Sequence, residues 1–333
     1  MRFKNMVPPV RVGIVGCGGI AQVFHLPILA KNLAVSIEAV CDIDASKAAV
    51  VAAKHGIQKV YQDIEEMLRR EKIDAVFVLT PNNMHLPMSL IALKYGAHLF
   101  VEKPVCRNLQ EVNQLRAKAE EAERVVMVGM QNRFRTDTIA LKHFLEDREL
   151  GDVLYVKAVW QQSHEQVYKQ PWLFKKSVAG GGVMMDLGIQ LMDLAWYLLG
   201  KPKPAKVLGR CVNLNQSLQV EDTCLAQINF ENQVALSLEV SWNFPIPRDV
   251  FKLEVVGSNG IGSLQPISLR KFWRDKLVNI TPQLENNRGN QFKKGYENEV
   301  NHFINYLTGK TDKLESGLED AVTIHQIIDQ IYQ

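Results

Sequence analysis

The sequence predicts an α/β protein with an N-terminal doubly wound parallel sheet and a C-terminal α+β domain containing a large, mostly antiparallel open sheet. Three observations support this prediction. Short apolar runs alternate with helix-like segments up to about residue 130. A glycine-rich turn separates the first apolar run from the first helical segment, and beyond residue 131 strand-like runs follow one another without regular crossovers. We expect two domains, 1–130 and 131–333, with the C-terminal helices as candidates to pack back on the first.

Strands and helices alternate regularly in the first domain. Strands are expected in runs of β-branched and other apolar residues, and helices where apolar residues recur three or four positions apart. The predicted strands are 10–15, 37–41, 59–60, 75–79, 98–101 and 125–128. The predicted helices are 20–32, 45–55, 64–70, 86–95 and 109–123. This alternation is typical of parallel strands joined by crossover helices.

Longer strands dominate the second domain. They are predicted at 153–161, 206–214, 223–230, 234–242 and 251–256. Helices are predicted at 137–145, 181–199, 296–306 and 317–331. Long strands without crossovers indicate antiparallel pairing, with helices covering one face. The other face is a candidate surface for a homodimer or homotetramer.

Composition excludes several classes of function. The chain has 333 residues, 47% hydrophobic and 23% charged, and a net charge of only +3 without a long basic run. Nucleic-acid and membrane-surface binding therefore receive little support. Five scattered cysteines without a CxxC spacing argue against a disulfide framework and against a zinc site. With no signal-like or membrane-spanning apolar stretch, we expect a cytoplasmic protein without a bound metal.

The turn after the first strand carries a dinucleotide-binding fingerprint. Gly16, Gly18 and Ala21 follow the pattern G-x-G-x-x-A in RVGIVGCGGIAQ. The first glycine permits a tight turn, the second lets the backbone approach a pyrophosphate, and Ala21 allows close helix packing. The N–H groups of Gly19 and Ile20 are then expected to face the anion at the helix N-terminus. This strand-turn-helix context is that of a Rossmann domain.

Asp42 ends the second predicted strand, where the adenosine ribose of a bound dinucleotide would lie. A carboxylate accepts hydrogen bonds from the ribose hydroxyls and repels a 2′-phosphate. Capping of the next helix is the alternative role, but Asp44 is better placed for it. NAD is therefore the expected cofactor, and NADP is the less favoured one.

Further polar residues lie at or just after later strand ends, at the edge where doubly wound sheets bind ligands. The cofactor-binding candidates there are Thr80, Asn82, His85, Glu102, Lys103 and Gln131. Lys103 is placed to approach the nicotinamide and a substrate hydroxyl. A solvated surface lysine is the alternative, but Glu102 can pair with Lys103 and Pro104 restricts the backbone that aims it.

A second polar group lies in the apolar helical block GGGVMMDLGIQLMDLAWYLLG, residues 180–200. Asp186 and Gln190 are four residues apart and share one helix face. Asp193 returns to nearly the same face, either as a structural carboxylate or as a ligand-binding one. Arg133, which follows the last strand of the first domain, either faces substrate or forms a salt bridge between domains. The three glycines that open the block are expected to let the chain pass close to the cofactor.

Together these motifs resemble the glucose–fructose oxidoreductase, inositol dehydrogenase and MocA (Gfo/Idh/MocA) family. The matching stretches include VGIVGCGGIAQ, AVCDID, TPNNMHLPMSLIALKYGAHLFVEKP, GMQNRF, the helical block above, VEDTCLAQINF and ESGLEDAVTIHQIIDQIY. The resemblance implies a Rossmann domain, a C-terminal sheet for substrate binding and oligomerisation, and a cis Lys103–Pro104 peptide. It also implies that Lys103 contacts the nicotinamide ribose and substrate, and that Asp186 binds substrate. The family's acid/base histidine is replaced by Gln190.

Gln190 raises the question of which group moves the proton, because an amide does not titrate at any useful pH. A positioned acid or base contributes typically 10²–10⁴-fold to such a reaction. In the first account Lys103, its pKa depressed by desolvation, moves the proton, Gln190 orients substrate, and Asp186 holds Lys103 or a hydroxyl. In the second, His164 or Tyr168 enters the site. In the third, the protein binds NAD and a sugar-like ligand with little or no turnover.

The sequence thus predicts an NAD(H)-dependent oxidoreductase that transfers a hydride between nicotinamide and a secondary alcohol or ketone of a sugar, polyol or sugar derivative. Lys103, Asp186 and Gln190 are the catalytic candidates, and Arg133 joins them as a candidate for substrate binding. One rival is a catalytically weak or inactive NAD- and sugar-binding protein on the same scaffold. Another is an NAD-using glycosidase, which would need a further proton-transferring group.

Overall fold

Two units divide the chain in the computed structural model, which describes residues 6–163, 171–215, 218–284 and 290–333. The first unit comprises Met1–Gln131 and Tyr296–Thr323. The second comprises Asn132–Gly295 and Ile324–Gln333. A segment from late in the chain therefore belongs to the N-terminal unit.

Six parallel strands form the sheet of the first unit, in the order β3-β2-β1-β4-β5-β6. They are β1 Val10–Val15, β2 Val35–Cys41, β3 Lys59–Tyr61, β4 Ala75–Val78, β5 His98–Glu102 and β6 Val126–Gly129. Strands β4, β5 and β6 are buried throughout, as expected for parallel strands covered on both faces. The strand order reverses between β1 and β4, which is the point at which doubly wound sheets bind ligands.

Polar side chains set the starts of most helices in this unit. The helices are α1 Leu26–Leu29, α2 Ala45–His55, α3 Ile64–Arg70, α4 Asn82–Lys94 and α5 Leu109–Glu121, and a π-helical turn over Ala21–His25 leads into α1. Asp44, Asp63 and Asn108 each accept the backbone N–H three residues later, at the starts of α2, α3 and α5. The predicted cap at Asp44 is therefore confirmed.

Aromatic contacts fasten the late segment into the first unit. The last two helices of the chain are α9 Gln291–Leu307 and α10 Leu318–Ile331. Tyr296 stacks on Phe24 with ring centroids 4.3 Å apart. Phe303 meets the rings of Phe77 and Phe100 edge-on at 5.7 and 5.8 Å. Burial of such rings contributes both apolar area and pair energy.

The second unit contains an eight-stranded sheet in the order β14-β13-β12-β11-β7-β10-β9-β8. Its strands are β7 Val153–Ser163, β8 Pro204–Val212, β9 Thr223–Phe230, β10 Ala235–Phe244, β11 Val250–Gly257, β12 Gly260–Leu264, β13 Ser268–Trp273 and β14 Lys276–Asn279. Only β7 and β10 pair in parallel, so the predicted mostly antiparallel sheet is confirmed. The last three strands were not predicted, because they are short and rich in glycine or charge.

One face of this sheet is covered by helices, and among the described residues the other face, called the open face below, exposes large apolar side chains. Helix α6, Thr136–Glu146, precedes β7, and helices α7 Lys176–Ala179 and α8 Ile189–Leu198 lie between β7 and β8. Helix α8 packs on β7 and β10, and Leu236 and Leu238 are buried on the covered face. Tyr155, Leu208 and Leu225 on the opposite face are 36%, 54% and 50% exposed. The alternation follows from the two-residue period of a strand.

A disulfide joins two strands of this sheet. Cys211 on β8 and Cys224 on β9 are direct partners in the antiparallel register, and their Cα atoms are 4.1 Å apart. The cysteine spacing predicted no disulfide framework, and that expectation is wrong for this pair. Cysteine spacing detects small domains that are held together by several disulfides. This bond depends instead on two strands that pair side by side in the sheet.

Candidate active site

Glycine at position 16 is required by the turn after β1. Its φ is +96°, and a Cβ there would lie 2.6 Å from the carbonyl oxygen of Leu79, so a side chain would collide with the backbone. At Gly18 and Gly19, by contrast, a Cβ would meet no described atom within 4 Å. These glycines leave open space before the helix, whose first-turn N–H groups lack partners within the helix. That arrangement fits the pyrophosphate of a dinucleotide.

Asp42 holds the glycine turn against the end of β2. Its two carboxylate oxygens accept the N–H of Cys17 at 2.7 Å and that of Asp44 at 2.9 Å. Lys47 Nζ lies 3.5 Å from Asp42 Oδ1. A carboxylate has about four acceptor positions, so these bonds leave capacity for ribose hydroxyls. The observed position fits the predicted ribose contact.

Thr80 and Asn82 follow β4 at the same edge. The hydroxyl oxygen of Thr80 is buried and has no hydrogen-bond partner among the described residues. Asn82, at the first position of α4, is also buried. A buried hydroxyl without a partner carries a free-energy cost. A bound polar group such as the cofactor would remove that cost, and the residues present therefore fit it.

His85 on α4 lies between two backbone carbonyls. Its Nδ1 is 2.7 Å from the oxygen of Pro104, and its Nε2 is 2.8 Å from the oxygen of Thr80. The ring is buried, and burial lowers the pKa of His85. The sequence predicted a cofactor contact for His85, whereas the structure places both ring nitrogens on the backbone of neighbouring loops.

Glu102 ends β5, and Lys103 follows it with a cis Lys103–Pro104 peptide, which confirms the isomer that the resemblance implied. Glu102 is buried; its Oε1 lies 2.7 Å from His25 Nε2, and its Oε2 accepts the backbone N–H of Lys103 at 3.1 Å. The predicted pairing of Glu102 with Lys103 is thus made through the Lys103 backbone. His25 was missed, although an isolated histidine in the apolar segment VFHLPIL was a usable signal.

The first unit therefore holds every predicted cofactor-binding residue: Gly16, Gly18, Gly19, Ile20, Asp42, Thr80, Asn82, His85, Glu102, Lys103 and Gln131. Gln131 lies two residues after β6, at the first position of a 3₁₀ turn, Gln131–Phe134, and is only 1% exposed.

Asp186 and Gln190 lie in the second unit, at a widened helical turn. Met184–Gly188 form a π-helical turn that continues into α8. Gln190 Nε2 donates to the backbone oxygen of Asp186, four residues earlier, at 3.0 Å. π turns are rare and are frequent at functional sites. Gln190 fixes the backbone that presents the Asp186 carboxylate.

Trp242 on β10 also orients Asp186. Its indole Nε1 donates to Asp186 Oδ2 at 3.1 Å, and the ring is 1% exposed. Trp242 was not predicted as a site residue. The two-residue burial period of β10 offered a signal, because it places Trp242 on the covered face with Leu238 and Val240.

The glycines before Asp186 make room for two other residues of the second unit, the side chain of Tyr332 and the backbone of Glu221. A Cβ at Gly181 would lie 2.3 Å from the Tyr332 hydroxyl, and one at Gly182 would lie 1.9 Å from the Glu221 carbonyl oxygen. Glu221 Oε1 accepts the N–H groups of Gly182 and Met184 and the Tyr332 hydroxyl, at 2.7–3.1 Å. The structure thus connects these glycines with the start of the Asp186 segment.

Arg133 and Asp193 form a buried ion pair within the second unit. Arg133 Nε donates to Asp193 Oδ2 at 2.7 Å, and Nη2 donates to Oδ1. Both side chains are almost completely buried, and Arg133 also lies over the ring of Tyr197 at 5.1 Å. This pairing favours the structural alternative for Asp193, and it occupies the Arg133 guanidinium that was predicted to bind substrate.

Two further sequence candidates, His164 and Tyr168, lie outside the described residues. Within the described ranges we find no group of three or more His, Cys, Asp or Glu side chains placed to hold a metal ion. Nor does any helix in those ranges have both the length and the apolar character needed to cross a membrane.

Both units match profiles of one protein family. Residues 10–130 match the Gfo/Idh/MocA oxidoreductase family with an NAD-binding Rossmann fold, and residues 138–262 match the Gfo/Idh/MocA C-terminal domain. The chain belongs to this family. It is an oxidoreductase acting on CH–OH groups.

Several named proteins are similar over nearly the whole chain. D-glucoside 3-dehydrogenase of Escherichia coli (strain K12) is 27% identical over 348 residues, covering 100% of this chain and 97% of the relative. scyllo-Inositol 2-dehydrogenase (NAD(+)) of Bacillus subtilis (strain 168) is 30% identical over 317 residues, covering 91% of this chain and 87% of the relative. The structure of levoglucosan dehydrogenase with NADH and levoglucosan has a TM-score of 0.87 at 20% identity, and the match covers 97% of this chain and 96% of that one. This likeness confirms the predicted fold.

Proposed function

We propose that the protein is an NAD(H)-dependent dehydrogenase that transfers a hydride between nicotinamide and a secondary alcohol or ketone of a sugar, polyol or sugar derivative. The observation that carries this proposal is the turn after β1, where open space at Gly18 and Gly19 lies beside Asp42 in a chain of this family. The substrates named for the relatives, a glucoside, an inositol and levoglucosan, support the substrate class.

NAD is proposed over NADP because of the carboxylate of Asp42. When bound, the dinucleotide supplies the atom that accepts or gives the hydride. Asp42 would accept from the ribose hydroxyls and would repel a 2′-phosphate. Lys47 lies 3.5 Å from the same carboxylate and reduces this repulsion without removing it.

Lys103 is proposed as the group that moves the proton. A neutral lysine amine that is placed against a substrate hydroxyl can take its proton and return it. Asp186, oriented by the Trp242 indole, would bind a substrate hydroxyl through its carboxylate. Gln190 would fix the Asp186 backbone and contribute no proton, because its amide does not titrate.

The open face of the second unit's sheet is proposed as the contact surface of a homodimer or homotetramer. Tyr155, Leu208 and Leu225 are large, exposed and on the same face. An exposed apolar sheet face is a typical site of association.

An NADH-formation screen tests the proposed activity. The purified protein is incubated with NAD+ or NADP+ and a panel of alkyl glucosides, free aldoses, inositols and anhydrosugars, and reduced cofactor is measured by absorbance. We expect NADH from at least one class, with NAD+ preferred over NADP+. Tight NAD+ binding without turnover of any compound would support the binding-protein alternative.

The cofactor assignment is tested separately by calorimetry with Gly18→Val. A valine fills the space proposed for the pyrophosphate, so NAD+ affinity should fall at least about tenfold, or about 1.4 kcal/mol. Unchanged affinity would overturn the assignment of this turn.

A further inference from the structure

We propose that His25 and His85 are positioning residues that hold Lys103 from its two sides, through the neighbouring residues Glu102 and Pro104. The inference rests on the proposed role of Lys103. A lysine side chain has four rotatable carbon–carbon bonds, so its amine is placed reproducibly only when its own backbone is fixed. The structure fixes that backbone at both adjoining residues.

His25 holds the residue before Lys103. Its ring is fully buried, and Nε2 lies 2.7 Å from Glu102 Oε1, while the second oxygen of Glu102 accepts the Lys103 N–H. Because the carboxylate accepts, Nε2 carries the proton in this contact. Nδ1 has no partner among the described residues, so the Glu102 contact is the one hydrogen bond seen for this ring.

The surroundings of Glu102 leave its carboxylate little freedom. Gly129, its partner on β6, is so close that a Cβ there would lie 3.3 Å from Glu102 Oε2. The rings of Phe100 and Tyr296 pack around His25 at 5.2 and 5.6 Å. The Glu102 carboxylate, buried between Gly129 and His25, therefore keeps one orientation. Its hydrogen bond to the Lys103 N–H then fixes the Lys103 backbone.

His85 holds the residue after Lys103. Its Nδ1 lies 2.7 Å from the oxygen of Pro104 and its Nε2 lies 2.8 Å from the oxygen of Thr80. Because burial lowers the pKa of His85, the neutral ring has a single N–H and donates to one carbonyl at a time. For Lys103 the relevant bond is the one from Nδ1 to Pro104.

The two nitrogens of His85 can be tested one at a time. The amide nitrogen of asparagine reaches the position of Nδ1, and that of glutamine reaches the position of Nε2. His85→Asn therefore keeps the bond to Pro104, and His85→Gln keeps the bond to Thr80. By the same geometry His25→Gln keeps the bond to Glu102, and His25→Leu removes it.

The kinetic test measures kcat, KM and the Kd of NAD+ for these four variants. A displacement of about 1 Å at a reacting group can cost about 10²-fold. We expect kcat to fall at least about tenfold in His85→Gln and His25→Leu, and less than about threefold in His85→Asn and His25→Gln. The Kd of NAD+ should change less than about threefold in His85→Gln. His143→Gln, on an exposed side chain, is the matched control.

Equal losses of kcat in His85→Asn and His85→Gln would overturn the proposal, since a packing role does not distinguish the two nitrogens. So would a loss in KM with unchanged kcat. Reductive ¹³C-methylation provides a second measurement without cofactor or substrate. The Lys103 signal, assigned by its absence in Lys103→Met, should move towards the position of exposed lysines in His85→Gln and His25→Leu only.

The methylation measurement also separates this proposal from the proposed function. If the wild-type protein oxidises no compound of the panel, the proposed function fails, and the Lys103 signal still shows whether the two histidines hold the residue. If turnover is found and the signal is unaffected in all four variants, only the positioning proposal fails.

Discussion

At the residue scale, Gln190 is the position where this chain departs from its family's pattern. Its amide donates to the Asp186 carbonyl, one turn back along a widened helix. The side chain therefore acts on the backbone of a proposed substrate-binding residue. The position and its missing proton carrier were predictable from the sequence, whereas the π turn at Met184–Gly188 was not, because one inserted residue hardly changes the apolar pattern.

Restoring a titratable group at this position tests whether the site lacks a base. Because Lys103 is proposed to move the proton, Gln190→His should not raise kcat and should add no ionisation near the ordinary histidine pKa of about 6.5 to the pH–rate profile. Steady-state rates across pH measure both effects, with Gln190→Asn as the non-titrating control. A kcat raised about tenfold or more, together with that ionisation, would show that the site lacks a base and would contradict the role of Lys103.

The Arg133–Asp193 pair makes a prediction about stability. Asp193→Asn removes the carboxylate charge that pairs with the buried guanidinium of Arg133, which should lower the free energy of unfolding by about 3–5 kcal/mol. The exposed pair Arg148–Asp152 provides a matched control, where Asp152→Asn should cost less than about 1 kcal/mol. Urea unfolding measures both, and equal costs would contradict the structural role of the buried pair.

At the element scale, strand β5 begins with the titratable residue His98 and is followed directly by Lys103, the proposed catalytic lysine. His98 begins the strand, and its Nδ1 accepts the N–H of Val125 at 3.0 Å. Burial, and then the charge of Arg124, lower the pKa of His98 to about 4. The strand is thus stable with a neutral imidazole at its start.

This lowered pKa makes stability depend on pH. The unfolded chain, with an ordinary histidine pKa of about 6.5, binds the proton more readily, so the His98 contribution is full above 6.5 and is lost as pH falls towards 4. At about pH 4.5 the loss should be about 2–3 kcal/mol relative to neutral pH. His98→Asn keeps an acceptor without a titrating group. The same pH dependence of urea unfolding in this variant would contradict the assignment.

The strands and helices differ in how well the sequence predicts their boundaries. Helices α2 and α3 and strand β9 have the predicted boundaries, because cap residues or regular alternation mark their ends. The π turn at Ala21–His25 was predicted as ordinary helix, since one inserted residue hardly changes the apolar pattern. Strands β12–β14 were missed because their pairing is set by neighbouring strands.

At the scale of the whole molecule, the open sheet face of the second unit predicts association. Leu225→Glu places a charge on that face, so sedimentation should shift from a multiple of the 37.7 kDa chain towards the single chain. Leu33→Glu, on a fully exposed leucine of the first unit, is the control. A wild-type protein that sediments as a single chain at micromolar concentration would contradict the proposed interface.

Family membership and both sheet types were predictable, because the motifs occur in the same order along the chain. The packing partners of the site residues were not predictable from the sequence. The contacts of His25 with Glu102, Trp242 with Asp186 and Arg133 with Asp193 join residues at least 56 positions apart. Such pairs are determined by the order of the strands and by the placement of helices on a sheet. The spacing of residues along the sequence predicts neither.

The central claim is that Lys103 serves the proton transfer of an NAD-dependent dehydrogenase, and turnover by Lys103→Met tests it most directly. Methionine keeps the length of the side chain and removes the amine. With a substrate from the screen, we predict a kcat at least about 10²-fold lower, while the Kd of NAD+ stays within about threefold of wild type. Near-normal turnover with normal cofactor binding would contradict the account.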